Sequence, residues 1–263
     1  MKKITAIVLA ALMLLSFAAC GGGGNAQVQA EPDIAVEKDA YVYGWELKDG
    51  TYEIKVDSSS SMFRIVHCDL IVENGNMTAF MSLSGEGYDY VYLGTGEMAA
   101  ADSEDKYIPF ERDSEDRKAY TIPVAALDCE MDLAAHSIKK DSWYDRVLVF
   151  ESELIPEDAY RTIRAVDVKM EGGTGKASIK SPTLIAEDNG SYVAVIEWSS
   201  PNYTYMIVDG QDYYPVNSEG NSTFAIPVEL DKDIAVSAET AAMSQPHLID
   251  YTLHFDGASL RDR

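Results

Sequence analysis

The sequence predicts an all-β protein, built as two tandem immunoglobulin-like sandwiches behind an N-terminal export segment. Three observations carry this expectation. Apolar and polar residues alternate at period two, as at Ile54/Val56 and Ala79/Met81/Leu83, the pattern of half-buried strands. Turn-forming clusters punctuate the chain at 57–61, 73–76 and 84–87, and again at 171–175, 187–190 and 199–202. The third observation is a repeat. Residues 52–70 (YEIKVDSSSSMFRIVHCDL) align without a gap on residues 166–184 (VDVKMEGGTGKASIKSPTL). After one inserted residue, Tyr88-Asp89-Tyr90 falls on Tyr203-Thr204-Tyr205. Tyr107-Ile108-Pro109 then falls on Tyr213-Tyr214-Pro215, and Ile122-Pro123-Val124 on Ile226-Pro227-Val228. A unit of roughly 100 residues with about seven short strands, used twice, reads as a duplicated sandwich.

The N-terminal element comes first. Lys2 and Lys3 precede an apolar run over residues 4–17, which is too short and wrongly flanked to persist as a membrane-spanning helix. The run ends in Phe17-Ala18-Ala19-Cys20, followed by four glycines. This string resembles a bacterial lipoprotein signal. The resemblance implies that residues 1–19 are removed, that Cys20 is lipidated, and that the lipid anchors the chain to the outer face of the cell membrane. Residues 20–44 begin with glycines and lack strand periodicity, so they read as a flexible tether.

The two repeats follow, at 45–151 and 164–263, joined by a linker over 152–163 that contains Pro156 and has room for a helical turn. Repeat one carries an insertion at residues 97–105, where Met98-Ala99-Ala100-Ala101 favours a short helix. Its acidic clusters, 102–105 and 113–116, lack the alternating oxygens and closing Glu of an EF-hand, and read as solvated loops.

Composition narrows the function. With 21 Lys+Arg against 44 Asp+Glu, the net charge is −23, which disfavours nucleic acid, since phosphate recognition needs a basic face. Loss of Lys2 and Lys3 makes the exported chain more acidic still. Catalytic signatures are missing: Gly172-Gly173-Thr174-Gly175-Lys176 lacks the spacing and the hydroxyl residue of a phosphate loop, and neither a nucleophile elbow nor a His-Glu-x-x-His string occurs. The histidines, His67, His136, His247 and His254, are scattered. The chain therefore reads as a non-enzyme. Cys68 and Cys129 are candidates for a disulfide in an exported protein; two free thiols are the alternative, because sequence fixes no Cα separation.

The excess of 16 Tyr over 7 Phe points to polar-tipped contact surfaces. Candidate ligand-binding residues in repeat two are Tyr203, Tyr205, Met206, Tyr213, Tyr214, Met243, His247 and Tyr251. In repeat one they are Met62, Phe63, Tyr88 and Tyr90, with Tyr92, Met98, Tyr107, His136, Trp143 and Tyr144 nearby. Strand parity places Tyr88, Tyr90 and Tyr92 on one face, and Tyr203 with Tyr205 on another. The same parity groups Tyr251 with Leu253 and Phe255 on a face that the core could equally claim.

The strings Trp198-Ser199-Ser200-Pro201-Asn202-Tyr203 and Gly220-Asn221-Ser222-Thr223-Phe224, with the lipoprotein signal, resemble repeats of Gram-positive lipoproteins associated with iron uptake. The architecture over about residues 45–256 is similar to that of NEAT (near-iron-transporter) domains. That resemblance implies binding of haem or an iron complex. A Ser-rich helix would correspond to residues 58–61 with Met62 and Phe63. Tyr251 would be the iron ligand within Tyr251-x-x-x-Phe255, where a supporting tyrosine is replaced by Phe. Arg146 stands at the Tyr251 position in repeat one. The expected partners are a small-molecule ligand and a transporter component. An adhesion or glycan-binding role through exposed Tyr and Trp, or a scaffolding role through an edge strand, are the alternatives.

Overall fold

In the computed structural model, residues 41–217, 220–242 and 245–263 are described; the stretch expected to be an export segment, Cys20 and Met243 lie outside them. The described residues are almost wholly strands and turns. In the first half these are β1 (Gly50–Glu53), β2 (Lys55–Ser58), β3 (Ile65–Glu73), β4 (Asn76–Leu83) and β5 (Tyr88–Leu93). A short helix α1 (Gly96–Ala101) precedes β6 (Ile108–Pro109), β7 (Glu111–Arg112), β8 (Lys118–Val124), β9 (Glu130–Ser137) and β10 (Ser142–Glu151). The second half holds β11 (Thr162–Gly172), β12 (Thr183–Asp188), β13 (Ser191–Glu197) and β14 (Tyr203–Val208). It continues with β15 (Gln211–Tyr213), β16 (Thr223–Val228), β17 (Asp233–Thr240) and β18 (His247–Asp262).

The first half forms two five-stranded sheets, β1-β3-β4-β8-β7 and β2-β10-β9-β5-β6, which close over one apolar core that includes Phe63, Leu70, Met81, Ile122, Leu148 and Phe150. The chain changes sheet at Ile54, whose buried side chain separates β1 from β2. In the second half the corresponding strand, β11, is continuous. It carries an irregularity between Ala165 and Asp167, and one eight-stranded sheet results, ordered β15-β14-β17-β18-β11-β12-β13-β16. Residues from both ends of that sheet, Tyr213 of β15 and Phe224 of β16, share a core with Ile185, Trp198 and Phe255, so the sheet folds over on itself. Read from β8 through β4, β3, β1/β2, β10, β9 and β5 to β6, the strand order matches β16, β13, β12, β11, β18, β17, β14 and β15 one for one.

Register refines the internal match. Leu70 pairs with Tyr52 and Ala79, whereas Ile185 pairs with Arg164 and Ala194; Ile185 therefore occupies the Leu70 position, one residue beyond the ungapped alignment. Phe150 faces Val56 and Phe255 faces Val168, so the first strand is displaced by two. An even displacement preserves which face is buried, which is why alternation alone could not detect it.

Local chemistry sets the hairpins. Asn74-Gly75, Asn189-Gly190 and Asp209-Gly210 all have positive φ at both residues, the two-residue turn whose twist suits antiparallel strands. The helix α1 is capped by Thr95, whose side chain accepts from the Met98 amide. The junction of the halves holds a 3₁₀ turn, Glu157–Ala159. Part of the stretch read as tether is ordered: Val42 pairs with Leu127 in an isolated bridge. The acidic loop 102–105 is exposed throughout, as expected, whereas the loop 113–116 holds one carboxylate out of solvent. The Asp113 carboxylate is buried and accepts from the amides of Glu115 and Arg117 and from the Arg117 guanidinium.

Candidate functional site

Four of the expected repeat-two residues are core residues. Tyr203, Met206, Tyr213 and Tyr251 all belong to the second apolar cluster. Trp198 stacks on Tyr203 with ring centroids 4.0 Å apart, and its indole N–H points at the Met206 sulfur at 3.4 Å. Tyr251 is only 4% exposed, and its hydroxyl meets that of Tyr203 at 3.3 Å. Burial, together with this contact, pushes the Tyr203 phenol well above its ordinary range. Tyr251 thus serves as a packed polar-tipped core residue, and its phenol is turned away from any iron approaching from outside. Tyr205 and Tyr214 instead lie outside that core, 6.3 Å apart. His247 is exposed at the start of β18.

The shared-face expectation for the tyrosines is corrected by a β-bulge. The register shifts between Tyr88 and Tyr90, and at the same place between Tyr203 and Tyr205. One extra residue reverses parity. Tyr88 consequently points inward, with its ring 5.3 Å from Phe63, while Tyr90 and Tyr92 face outward. Met62 is exposed beside the buried Phe63. Residues 58–62 form a strand end and a turn rather than a Ser-rich helix; Ser59 there accepts from the Val147 amide.

On the outer face of the first half, Tyr92, Ala99 and Ala134 form a small cluster with Tyr107 and Trp143. Helix α1 covers it, tied down by Tyr107 Oη donating to the Ala99 carbonyl at 2.8 Å and Tyr92 Oη to Asp102 at 2.9 Å. His136 adjoins Trp143 and has Nδ1 at 2.8 Å from Asp89. These contacts explain Tyr92, Tyr107 and Trp143 as packing for the insertion.

Cys68 and Cys129 are free thiols. Burial pushes the Cys68 thiol up to about 12, with the Asp69 carboxylate adding to the effect, so it is an inert core residue. No cluster of three or more His, Cys, Asp or Glu suited to a metal ion occurs among the described residues. Among them there is also no helix long and apolar enough to cross a membrane.

A concave feature that gathers aromatic side chains lies at the junction of the two halves. A groove of about 400 Å³ is lined by Tyr43 and Trp45, by Met77, Leu93, Pro123 and Met131 at one end of the first sandwich, and by Tyr214, Pro215 and Val216 of the second half. Tyr43 and Trp45 are nearly parallel, at 12° and 6.3 Å. Tyr214 is 65% exposed. Trp45 is held by Ala186, Val193 and Ala225 of the second half. Its segment is tied down by the Leu47–Tyr160 bridge and by Arg161 Nε donating to the Leu47 carbonyl at 2.7 Å. Gly44 is required by close approach: a Cβ there would lie 2.4 Å from the Gly75 carbonyl oxygen. A second hollow, of about 620 Å³, lies over β14, β17 and β18 and presents Glu171, Asp209 and Asp250; apart from Tyr251, whose ring packs in the core, it has no aromatic lining.

Of the expected residues that are described, Tyr214 alone lines the junction groove. Tyr43, Trp45, Met77, Leu93, Pro123 and Met131 were missed. The local signal was Tyr41-Val42-Tyr43-Gly44-Trp45, an aromatic-rich string out of place in a tether. The groove suits haem poorly, since its lining has no Lys, Arg or His among the described residues to pair with two carboxylates. No family model and no curated protein matches this chain.

Proposed function

We propose that this protein is a lipid-anchored, extracytoplasmic binding protein without catalytic activity, made of two tandem immunoglobulin-like sandwiches, and that its ligand seats in the junction groove. The observation that carries the reading is the groove itself: three aromatic rings, two prolines and several aliphatic or thioether side chains from both halves, around few polar groups. Ligand sites are typically of this kind, concave and mostly apolar. The shared strand order of the halves supports the duplication, and the Phe17-Ala18-Ala19-Cys20 string supports the anchor.

The test uses a chain beginning at Val36, the start of the compact unit that holds all described residues. Apolar ring compounds are screened by tryptophan fluorescence and by thermal shift. A ligand at 100 times its Kd should stabilise the fold by about 2.7 kcal/mol. Tyr214→Ala, at an exposed position, should weaken binding without unfolding the chain. A ligand whose affinity is unchanged by that substitution would overturn the assignment of the groove. Hemin belongs in the screen: a red-shifted Soret band that survives Tyr251→Phe and is lost in Tyr214→Phe would return the reading to iron uptake through a different tyrosine.

A further inference from the structure

We propose that the groove takes a ring-bearing organic cation, with the ring among the aromatics and the positive group at the mouth. The inference rests on the groove being the ligand site and names the ligand's chemistry. Its lining contains no charged residue among those described: the polar groups are Asn76, Thr78, the tyrosine hydroxyls and the backbone. A net charge of −23 spread over 263 residues makes a wholly uncharged concavity a selective feature, because an ion seated deep within it would have no partner.

The surroundings are one-sided. Within two residues along the chain of a lining position stand Glu46, Glu73, Glu130, Asp132 and Asp212, and no Lys or Arg. Two residues of extended chain span about 7 Å, inside the Debye length of about 8 Å at physiological ionic strength. The bases close by are paired: Lys48 with Asp188 at 3.5 Å, and Arg161, which donates to the Leu47 carbonyl, with Asp49 at 3.1 Å. The mouth therefore sits in a negative potential that attracts cations and repels anions. Tyr43, Trp45 and Tyr214 add the negative faces of their rings, which favour a cation further. A dianion such as hemin is disfavoured on both counts.

The experiment compares three probes that share a ring and differ in charge: 2-naphthylmethylammonium, 2-naphthalenemethanol and 2-naphthoate. Each is titrated into the chain beginning at Val36. The expected order is cation, alcohol, anion, with the cation at least about tenfold tighter than the anion, equivalent to about 1.4 kcal/mol. The gap should shrink at about 1 M salt, where the Debye length falls to about 3 Å. Glu73→Gln with Glu130→Gln should narrow it while leaving the alcohol unchanged. Anion binding as tight as cation binding, with both weakened by Tyr214→Ala, would overturn the ligand class and leave the groove standing. Failure of all three probes to bind, or binding indifferent to Tyr214→Ala, would overturn the groove and the proposal together.

Discussion

Trp45 is the residue on which the junction depends, and replacing it with Ala is the most informative perturbation. The side chain is 7% exposed and packs on Ala186, Val193 and Ala225, all from the second half, although Trp45 precedes the first strand. An indole buries roughly 200 Å², which at about 25 cal/mol per Å² stabilises by about 5 kcal/mol. The retained Cβ and partial relaxation bring the expected loss to about 3–5 kcal/mol, the usual range for Trp→Ala in a core. Against a total stability of about 5–15 kcal/mol, that is about a fifth or more. The assay is urea unfolding of the chain beginning at Val36, followed by circular dichroism. With a slope near 3 kcal/mol per M, the midpoint should fall by about 1–1.7 M. Trp143→Ala, which removes a half-buried ring from the outer cluster over α1, should cost roughly half as much. A Trp45→Ala midpoint within about 0.3 M of the parent would refute the argument that this indole joins the halves.

Gly44→Ala should destabilise by about 1–3 kcal/mol, because the new methyl meets the Gly75 backbone oxygen at 2.4 Å; calorimetry showing an unchanged Tm would contradict this. Tyr251→Phe should cost about 1 kcal/mol by removing its contact with Tyr203, read by the same urea titration. In native protein a thiol reagent should modify Cys129 and spare Cys68, which burial holds up at about 12; mass spectrometry should find the second label only after denaturation. Burial would raise the Asp113 carboxyl, but hydrogen bonds from the Arg117 and Glu115 amides and the Arg117 guanidinium outweigh it and hold it well below the usual carboxylate range. A depressed folded-state value contributes stability above the unfolded value of about 3.9 and loses it as pH falls through the folded one. Asp113→Asn should therefore lower Tm at neutral pH, with the two chains converging in strong acid; a gap that widened in acid would refute the assignment.

Much of the fold was legible in the chain. Alternation at positions such as Ile54/Val56 and Ala79/Met81/Leu83 marked strands, and the Asn74-Gly75 and Asn189-Gly190 turns placed two of the hairpins. The internal match was visible too, because apolar residues recur at matching spacing in the two halves. The site was far less legible. Alternation assumes an unbroken pleat, and one bulged residue between Tyr88 and Tyr90, repeated between Tyr203 and Tyr205, reversed the faces on which the tyrosine argument depended. Tyr251 shows the same limit: a phenol looks alike in sequence whether it meets a ligand or another hydroxyl in the core.

The sequence by itself determined the class of fold, the order of its elements and the acidic character of the surroundings, since these follow from local periodicity, turn chemistry and composition. Tertiary structure alone decided where a groove exists. Tyr43, Trp45, Met77, Pro123 and Tyr214 are spread over more than 170 positions and come together only because Trp45 docks on the far half. No local pattern encodes that contact, because burial against a distant sheet is settled by how the two halves pack.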